Sequence, residues 1–163
     1  AYNFPAVFTR AANVYGPGQQ LYRIIPRTIL YAKLGKKLYL HGGGKSDRSF
    51  MHMQDVSDAT YKIALNGEVG FTYHISTKNT ITIKSLVSKL CDMLKVNFSD
   101  LVEDSDERLG KDDSYKLNSQ KIRFELKWAE KIELEEGLEQ TIKWVSDNIK
   151  IMENLSHNYI HKA

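Results

Sequence analysis

Short apolar runs separated by glycine and proline mark the first half of the chain. Residues 6–9 form a β-prone run that predicts a buried strand, and residues 13–18 predict a turn from their Gly and Pro content. Residues 37–41, 49–53 and 71–75 predict three further strands. The hydrophobic pattern therefore indicates several short strands in this half.

Helices are predicted between these strands. Pro26 is expected to open a helix at its favoured first position, and Gly35 to end it. Asp55 and Asp58 resemble a capping pair for a second helix, which Gly67 ends.

The second half of the chain is predicted to be mainly helical. Its clearest helix carries an apolar stripe with i, i+3, i+4, i+7 spacing, formed by Ile83, Leu86, Val87, Leu90 and Leu94. Asn118 predicts the cap of a short helix through Leu126, and the apolar spacing over 134–149 predicts the last helix. Residues 103–114 predict an acidic loop, and the residues after Glu153 predict a frayed tail.

Strands that alternate with helices predict an α/β fold with a mainly parallel sheet. A complete doubly wound nucleotide-binding sheet has about six strands, with a glycine-rich phosphate turn after the first. The chain offers neither that many strands nor that turn. The sheet is therefore expected to be incomplete or small.

Composition narrows the class of protein. The 163 residues are the size of one domain, and 42% hydrophobic with 26% charged residues is typical of a globular protein. No apolar run approaches the length of about 20 residues that crosses a bilayer, so no membrane association is expected. Cys91 is the single cysteine and cannot form an internal disulfide, which suits the cytoplasm. The first residue is Ala1 rather than Met, and the chain is expected to be part of a longer protein.

Charge is distributed unevenly along the chain. Residues 1–50 carry eight Lys/Arg against the single acid Asp47, a net +7, whereas the remainder carries 15 basic against 19 acidic residues, a net −4. Charge alone favours an ordinary solvated basic surface. The alternative interpretation is a site for a phosphate-bearing ligand.

Familiar catalytic and metal-binding patterns do not fit this sequence. Residues 44–46 read Gly-Lys-Ser but lack the earlier glycine that a phosphate loop requires. His157 and His161 are four residues apart, yet no Glu follows the first, and no Cys/His cluster has metal-ligand spacing. His52 and His74 lie on predicted strands and are expected at the rim. No metal site, nucleophile elbow or nucleic-acid platform is predicted.

Four segments, in order, carry a resemblance to one enzyme family. They are residues 10–19 with Ile25-Pro26, residues 42–56, residues 70–75 and residues 108–138. The first of them reads Arg10-Ala11-Ala12-Asn13-Val14-Tyr15-Gly16-Pro17-Gly18-Gln19. Together they resemble the carboxy-terminal half of extended short-chain dehydrogenase/reductases, the NAD-dependent epimerase/dehydratase family. Within it, the dTDP-glucose 4,6-dehydratases are the most similar group.

The resemblance implies an α/β fold made of an incomplete Rossmann-type parallel sheet remnant and a smaller, mainly helical substrate-binding lobe. Residues 1–17 and 49–77 would form the remnant of the NAD-binding sheet domain. Residues 18–48 and 78–153 would form the sugar-nucleotide-binding lobe, and residues 154–163 a tail.

The same resemblance implies a reaction and its participants. NAD oxidises the sugar at C4, water is lost across C5 and C6, and the hydride returns to C6. The catalytic Tyr/Lys pair, the assisting acid and the dinucleotide glycines of the family would precede Ala1, so no catalytic residue is assigned in this chain. The ligand would be a nucleotide-diphosphate sugar, and the complete protein is expected to be a cytoplasmic homodimer.

Candidate binding residues follow from the positions that match the family. Asn13 matches the asparagine that touches the sugar diphosphate, and Arg48 and Arg108 match two arginines that hold it. Ala11 and Val14 match positions beside the nicotinamide end of NAD. The full substrate-binding set implied in this way is Asn13, Arg23, Ile24, Tyr39, Leu40, His41, Arg48, His74, Arg108 and Lys111.

Some positions depart from the dehydratase pattern. The strand that lies along the base has Tyr39 in place of Pro and His41 in place of Tyr. Val14 and His74 stand where the dehydratases have Asn, and Lys111 where they have His. Two alternatives therefore stay open: a nucleotide-sugar 4-epimerase of the same family, and a stand-alone, non-catalytic sugar-nucleotide-binding or assembly domain.

Overall fold

Short, mostly parallel strands and the helices between them make up residues 4–107, 110 and 112–159, which the computed structural model describes. Within these residues the strands are β1 (Phe8–Ala11), β2 (Asn13–Tyr15), β3 (Leu38–His41), β4 (Asp47–Arg48), β5 (Phe50–His52), β6 (Thr72–Ile75), β7 (Ile81–Thr82), β8 (Val102–Ser105) and β9 (Ser114–Tyr115). The helices there are α1 (Ile24–Leu34), α2 (Met53–Asn66), α3 (Ile83–Leu94), α4 (Phe98–Leu101), α5 (Gln120–Glu125), α6 (Leu134–Asp147) and α7 (Ile149–Met152).

Strand pairing confirms the predicted fold class. β1 lies parallel to β6, β2 to β5, and β3 to β8, while β4 pairs with β9 in parallel and with β7 antiparallel. The pairs form separate two- or three-stranded sheets. Helix α2 connects β5, the partner of β2, to β6, the partner of β1. The described residues thus form a mixed α/β fold with a fragmentary, mainly parallel sheet.

Two predicted boundaries near the start of the chain are wrong. The strand expected over residues 6–9 begins at Phe8, whose N–H donates to the Phe71 carbonyl at 2.9 Å and so opens the ladder with β6. The turn expected over residues 13–18 begins only at Gly16, because Asn13–Tyr15 pair with β5 as a strand. Pairing with a distant partner overrides the local turn signal here.

Helix α1 ends as predicted but begins earlier. Gly35 follows it in the left-handed conformation, with φ of 63°, and its N–H donates to the Tyr31 carbonyl. Pro26 is the third helical residue rather than the first. The first four N–H groups of a helix have no intrahelical acceptor, so a proline is tolerated there too.

Asp55 serves a different purpose from the cap predicted for it. Helix α2 begins two residues earlier, at Met53, and the His52 side chain accepts from the Gln54 N–H. The buried carboxylate of Asp55 instead accepts from the Lys131 and Ile132 N–H groups, each at 3.0 Å. It therefore fixes the segment that leads into α6 against the start of α2.

The buried apolar side chains of the described residues form three clusters. The first joins α1, α3 and α6 through Ile25, Ile29, Leu30, Leu86, Leu90, Leu138 and Val145. The second surrounds the paired strands with Met51, Ala59, Ile63, Tyr73, Ile75, Ile122 and Trp128. The third, beneath β3 and β8, contains Leu38, Leu40, Val87, Leu101 and Cys91, which is a core residue as predicted.

The end of the described chain is not frayed as its lack of pattern suggested. His157 is buried, and its ring Nε2 lies 2.9 Å from the Met152 carbonyl. Its ring also packs against Tyr31 of α1, with centroids 5.8 Å apart. His161 lies outside the described residues.

His52 is buried rather than at the rim, at 2% exposure. Its ring meets the edge of Tyr15 with centroids 5.5 Å apart. Burial lowers the pKa of His52, and the nearby carboxylates of Asp55 and Glu136 oppose that shift only in part. The neutral imidazole is therefore the form that the fold stabilises.

Replacing Asp55 tests its role in stability. Asp55→Ala is expected to lower the free energy of unfolding by about 3 kcal/mol, because two backbone N–H groups lose a charged acceptor. Urea denaturation measures this loss. Asp58→Ala, three residues along the same helix, is the matched control and is expected to change stability by less than about 0.5 kcal/mol. Equal losses in the two variants would contradict the assignment.

The buried His52 predicts a pH dependence of stability. In the unfolded chain histidine protonates near its ordinary pKa of about 6.5, whereas the folded protein keeps His52 neutral to lower pH. The free energy of unfolding should therefore fall as the pH drops from about 7.5 to 5.5. His52→Gln should make this decline shallower. Between about pH 7.5 and 8.5, where histidine does not titrate, the free energy of unfolding of the wild type and of His52→Gln should change equally with pH. An equally steep decline of the two proteins below about pH 7.5 would count against the prediction.

Candidate functional site

A cleft of about 1100 Å³ opens between the end of β2 and the start of α1. Its walls come from residues 12–20 and from α1, with Arg48 and Phe50 on another side. A second cavity of about 550 Å³ adjoins it and is lined by β3 and by Gly110 and Asp112. The two cavities share Tyr22, Ile24, Arg27, His41, Arg48 and Ile83 and so form one continuous site.

Most of the predicted site residues meet at this cleft. The larger cavity is lined by Asn13, Val14, Arg23, Ile24, His41 and Arg48, and the smaller one also by Tyr39 and Leu40. Ala11 and His74 line neither cavity, because they lie on β1 and β6 away from it. Arg108 and Lys111 lie outside the described residues, although Gly110 between them lines the smaller cavity.

The charged side chains in the described lining of the larger cavity are all positive. Its described lining includes Arg23, Arg27 and Arg48 and no carboxylate. Three guanidinium groups in one cleft repel one another unless an anion lies between them. The cleft is therefore suited to a ligand that carries more than one negative charge.

Arg48 is held by backbone carbonyls. Its Nη1 donates to the Asp47 carbonyl at 2.8 Å and to the Asp113 carbonyl at 3.2 Å, and its Nη2 donates to the Asp112 carbonyl. These contacts use three of the five guanidinium donors and tie Arg48 to the loop that follows residue 111. The remaining donors are available to a ligand in either cavity.

Asn13 is anchored at the floor of the cleft. Its side-chain amide and its backbone N–H both donate to the Ser49 carbonyl, at 3.1 and 3.2 Å. This double contact places Asn13 at the junction of β2 and β5. The amide oxygen and the second amide hydrogen remain for other contacts.

Aromatic and imidazole side chains form the rest of the wall. Arg23, at the start of α1, stacks on the Tyr22 ring with its guanidinium carbon 5.3 Å from the centroid. Tyr39 is 58% exposed on β3. The His41 ring Nδ1 lies 3.0 Å from the Ser105 hydroxyl and 3.1 Å from the Asp106 carbonyl. Tyr39 and His41 together offer ring surfaces to the smaller cavity.

The charge pattern placed Arg27 among the basic residues suited to a phosphate-bearing ligand, but the resemblance assigned no role to Arg27, Tyr22 or Tyr159, all of which line the larger cavity. In the structure Arg27 lies one turn after Arg23, the residue that precedes α1, whereas the helix was predicted to begin only at Pro26. Tyr159 had no signal, because its place depends on how the end of the chain folds back.

Comparison with known proteins identifies the family of the chain. The family described as GDP-mannose 4,6 dehydratase matches residues 1–141. The chain belongs to the NAD-dependent epimerase/dehydratase family.

Individual members of the family show the extent of the match. The chain is 34% identical over 148 residues to the trifunctional UDP-glucose 4,6-dehydratase/UDP-4-keto-6-deoxy-D-glucose 3,5-epimerase/UDP-4-keto-L-rhamnose-reductase of Arabidopsis thaliana, covering 91% of this chain and 22% of that protein. It is 32% identical over 158 residues to the dTDP-D-glucose 4,6-dehydratase of Mus musculus, covering 94% and 44%.

A solved structure agrees with these relatives. DesIV, a dTDP-glucose 4,6-dehydratase from Streptomyces venezuelae with NAD and TYD bound, superposes with a TM-score of 0.88 at 29% identity, covering 92% of this chain and 46% of that one. The chain thus spans less than half the length of these relatives.

The family is NAD-dependent. Val14 lines the cleft at the end of β2, where an apolar side chain suits the nicotinamide ring, but Ala11 does not reach it. The 163 residues contain neither a Gly-x-x-Gly-x-x-Gly turn nor a Tyr-x-x-x-Lys pair. The residues present therefore fit one end of the dinucleotide and not its pyrophosphate.

Two further features bear on function. No group of His, Cys, Asp and Glu among the described residues is placed to hold a metal ion. No helix in that part of the chain is both long and apolar enough to cross a membrane.

Proposed function

We propose that this chain is the substrate-binding half of an NAD-dependent nucleotide-sugar 4,6-dehydratase similar to dTDP-glucose 4,6-dehydratase. The observation that carries the proposal is the cleft with three arginines and no described carboxylate. Two relatives that match over nine-tenths of the chain are named as nucleotide-sugar 4,6-dehydratases. A nucleoside diphosphate supplies the charge that such a cleft requires.

In this proposal each wall of the cleft contacts a different part of the ligand. Arg48, with Arg108, holds the diphosphate, while Asn13 contacts its sugar end and Arg23 the outer phosphate oxygens. The base occupies the smaller cavity beside Tyr39. NAD would supply the hydride acceptor for the sugar, with Val14 against its nicotinamide end.

The complete protein is proposed to be a cytoplasmic homodimer whose catalytic Tyr/Lys pair and dinucleotide turn lie outside these 163 residues. The cytoplasmic assignment rests on the single cysteine, which is buried and unpaired. The dimer is supported by exposed apolar side chains beside the paired strands, among them Phe8, Tyr61, Leu65 and Phe71.

The arginines provide the binding test. Arg48→Ala and Arg108→Ala are each expected to weaken dTDP binding by about tenfold to a hundredfold, because each removes a charge-assisted contact to phosphate. Arg48→Lys should also lose affinity, since an ammonium group cannot replace contacts to both the loop carbonyls and the ligand. Calorimetric titration of the protein encoded by the whole gene measures these affinities.

A control for charge must leave the fold intact. Arg123 is unsuitable, because it pairs with Glu130 and donates to the Ser76 carbonyl at 3.0 Å. Arg10 on the exposed β1 lines neither cavity, so Arg10→Gln should bind dTDP like the wild type. Unchanged affinity in both Arg48→Ala and Arg108→Ala would refute the diphosphate assignment.

Assay of the isolated chain tests whether catalysis requires residues outside these 163. The purified 163-residue chain is expected to show no turnover of dTDP-glucose and no tight NAD binding, because it lacks the dinucleotide turn and the catalytic pair. An assay for the 4-keto-6-deoxy product, with a complete dehydratase as positive control, measures the turnover. Product formed by the chain alone would place the chemistry within these residues.

A further inference from the structure

The last described residues, 153–159, fold back onto α1 and are called here the C-terminal segment. They lie beyond residue 141, where the match to the family ends. Arg27 donates through Nη2 to the His157 carbonyl and, at 3.4 Å, to the Asn158 side-chain oxygen. Tyr31, one turn further along α1, packs against the His157 ring. The segment is therefore attached to the helix that forms one wall of the cleft.

Tyr159 brings the C-terminal segment into the cleft itself. Its ring meets the Tyr22 ring edge to face, with centroids 5.2 Å apart, and it lines the larger cavity beside Tyr22. Edge-to-face packing on Tyr22 fixes the Tyr159 ring at the edge of the cavity. Tyr159 thus extends the wall that α1 begins.

Arg27 lies at the junction of the two cavities and keeps its charge. It lines both of them, and its described hydrogen-bond acceptors are a carbonyl and an amide oxygen rather than a carboxylate. Its Nε is buried and has no acceptor among the described residues. Since Nε is buried, only the exposed part of the guanidinium can reach an anion in the cleft.

We propose that Arg27 binds the phosphate groups of the ligand and that the C-terminal segment is part of the binding site. The His157 carbonyl and the Asn158 side chain hold Nη2, which leaves Nη1 to bind the diphosphate. Tyr159 covers the ligand on the solvent side. This inference rests on the proposed function, because it takes a nucleoside diphosphate as the ligand.

Affinity measurements show whether Arg27 binds the ligand or acts only as a tether that holds the C-terminal segment against α1. The ligand is the tightest binder among dTDP, UDP and GDP to the protein encoded by the whole gene, measured by calorimetry. Arg27→Gln is expected to weaken it by about tenfold to a hundredfold. Arg27→Lys keeps the positive charge but loses the planar guanidinium, so its affinity should lie between those of the wild type and Arg27→Gln. Tyr159→Ala should weaken binding by about threefold to tenfold.

Matched controls remove a similar group outside the cleft. Lys33→Gln takes one positive charge from the exposed side of the same helix, and Leu155→Ala truncates an exposed apolar side chain of the same segment. Both should bind within about twofold of the wild type. Hydrogen exchange of residues 157–159 should slow when the nucleotide binds, because the ligand then packs against the segment.

The outcomes separate this inference from the proposed function. Failure of the unmodified protein to bind any of the three nucleotides would overturn the proposed function. Nucleotide binding that is unchanged in Arg27→Gln, with faster exchange of residues 157–159, would show that Arg27 is only a tether and would overturn the inference. Equal weakening of dTDP and of thymidine by Arg27→Gln would also overturn it, since thymidine has no phosphate.

Discussion

A buried carboxylate connects the strand-bearing part of the chain to the helices that surround the cleft. Asp55, at the start of α2, accepts from two successive N–H groups at Lys131 and Ile132, just before α6 begins. The Tyr15 hydroxyl donates to the Leu134 carbonyl at 3.2 Å in the first turn of α6. Gly137 permits this approach, because a Cβ there would lie 2.3 Å from the Tyr15 oxygen. Asn13 and Val14 lie on the strand that Tyr15 ends, so the floor of the cleft depends on this connection.

Local patterns predicted the parts of the fold that depend on local forces. Leu86 and Leu90 were recognised by their spacing and are fully buried, and Gly35 was recognised by the αL conformation that ends a helix. Asp55 was misread, because an acid near a helix start suits a cap and a distant pair of N–H groups equally well in sequence. His52 was misread because alternation along a strand does not show what covers each face of that strand.

The family resemblance supplied candidate binding positions, whose binding roles stay predictions. Eight of the twelve implied binding residues line the two cavities. The resemblance assigned no position to Arg27 or Tyr159, because their placement depends on a contact that spans 130 residues, between α1 and the His157 carbonyl. Such a contact leaves no periodicity in the sequence. Ala11 and His74 also match family positions but line neither cavity. A matched position on a strand does not fix which neighbours the side chain contacts.

The acceptors of each arginine indicate which of them are free to bind an anion. Arg123, outside the cleft, is paired with the Glu130 carboxylate and stacks on Trp128, so its charge is neutralised within the fold. Arg48 and Arg27 are oriented by carbonyl and amide oxygens instead. A carbonyl fixes the direction of a guanidinium without cancelling its charge, so both groups stay positive in a partly desolvated cleft. Positive groups that share one cleft repel each other, and a bound diphosphate would relieve that repulsion. Under the proposed function, this preorganised positive charge would favour a nucleoside diphosphate over an uncharged nucleoside.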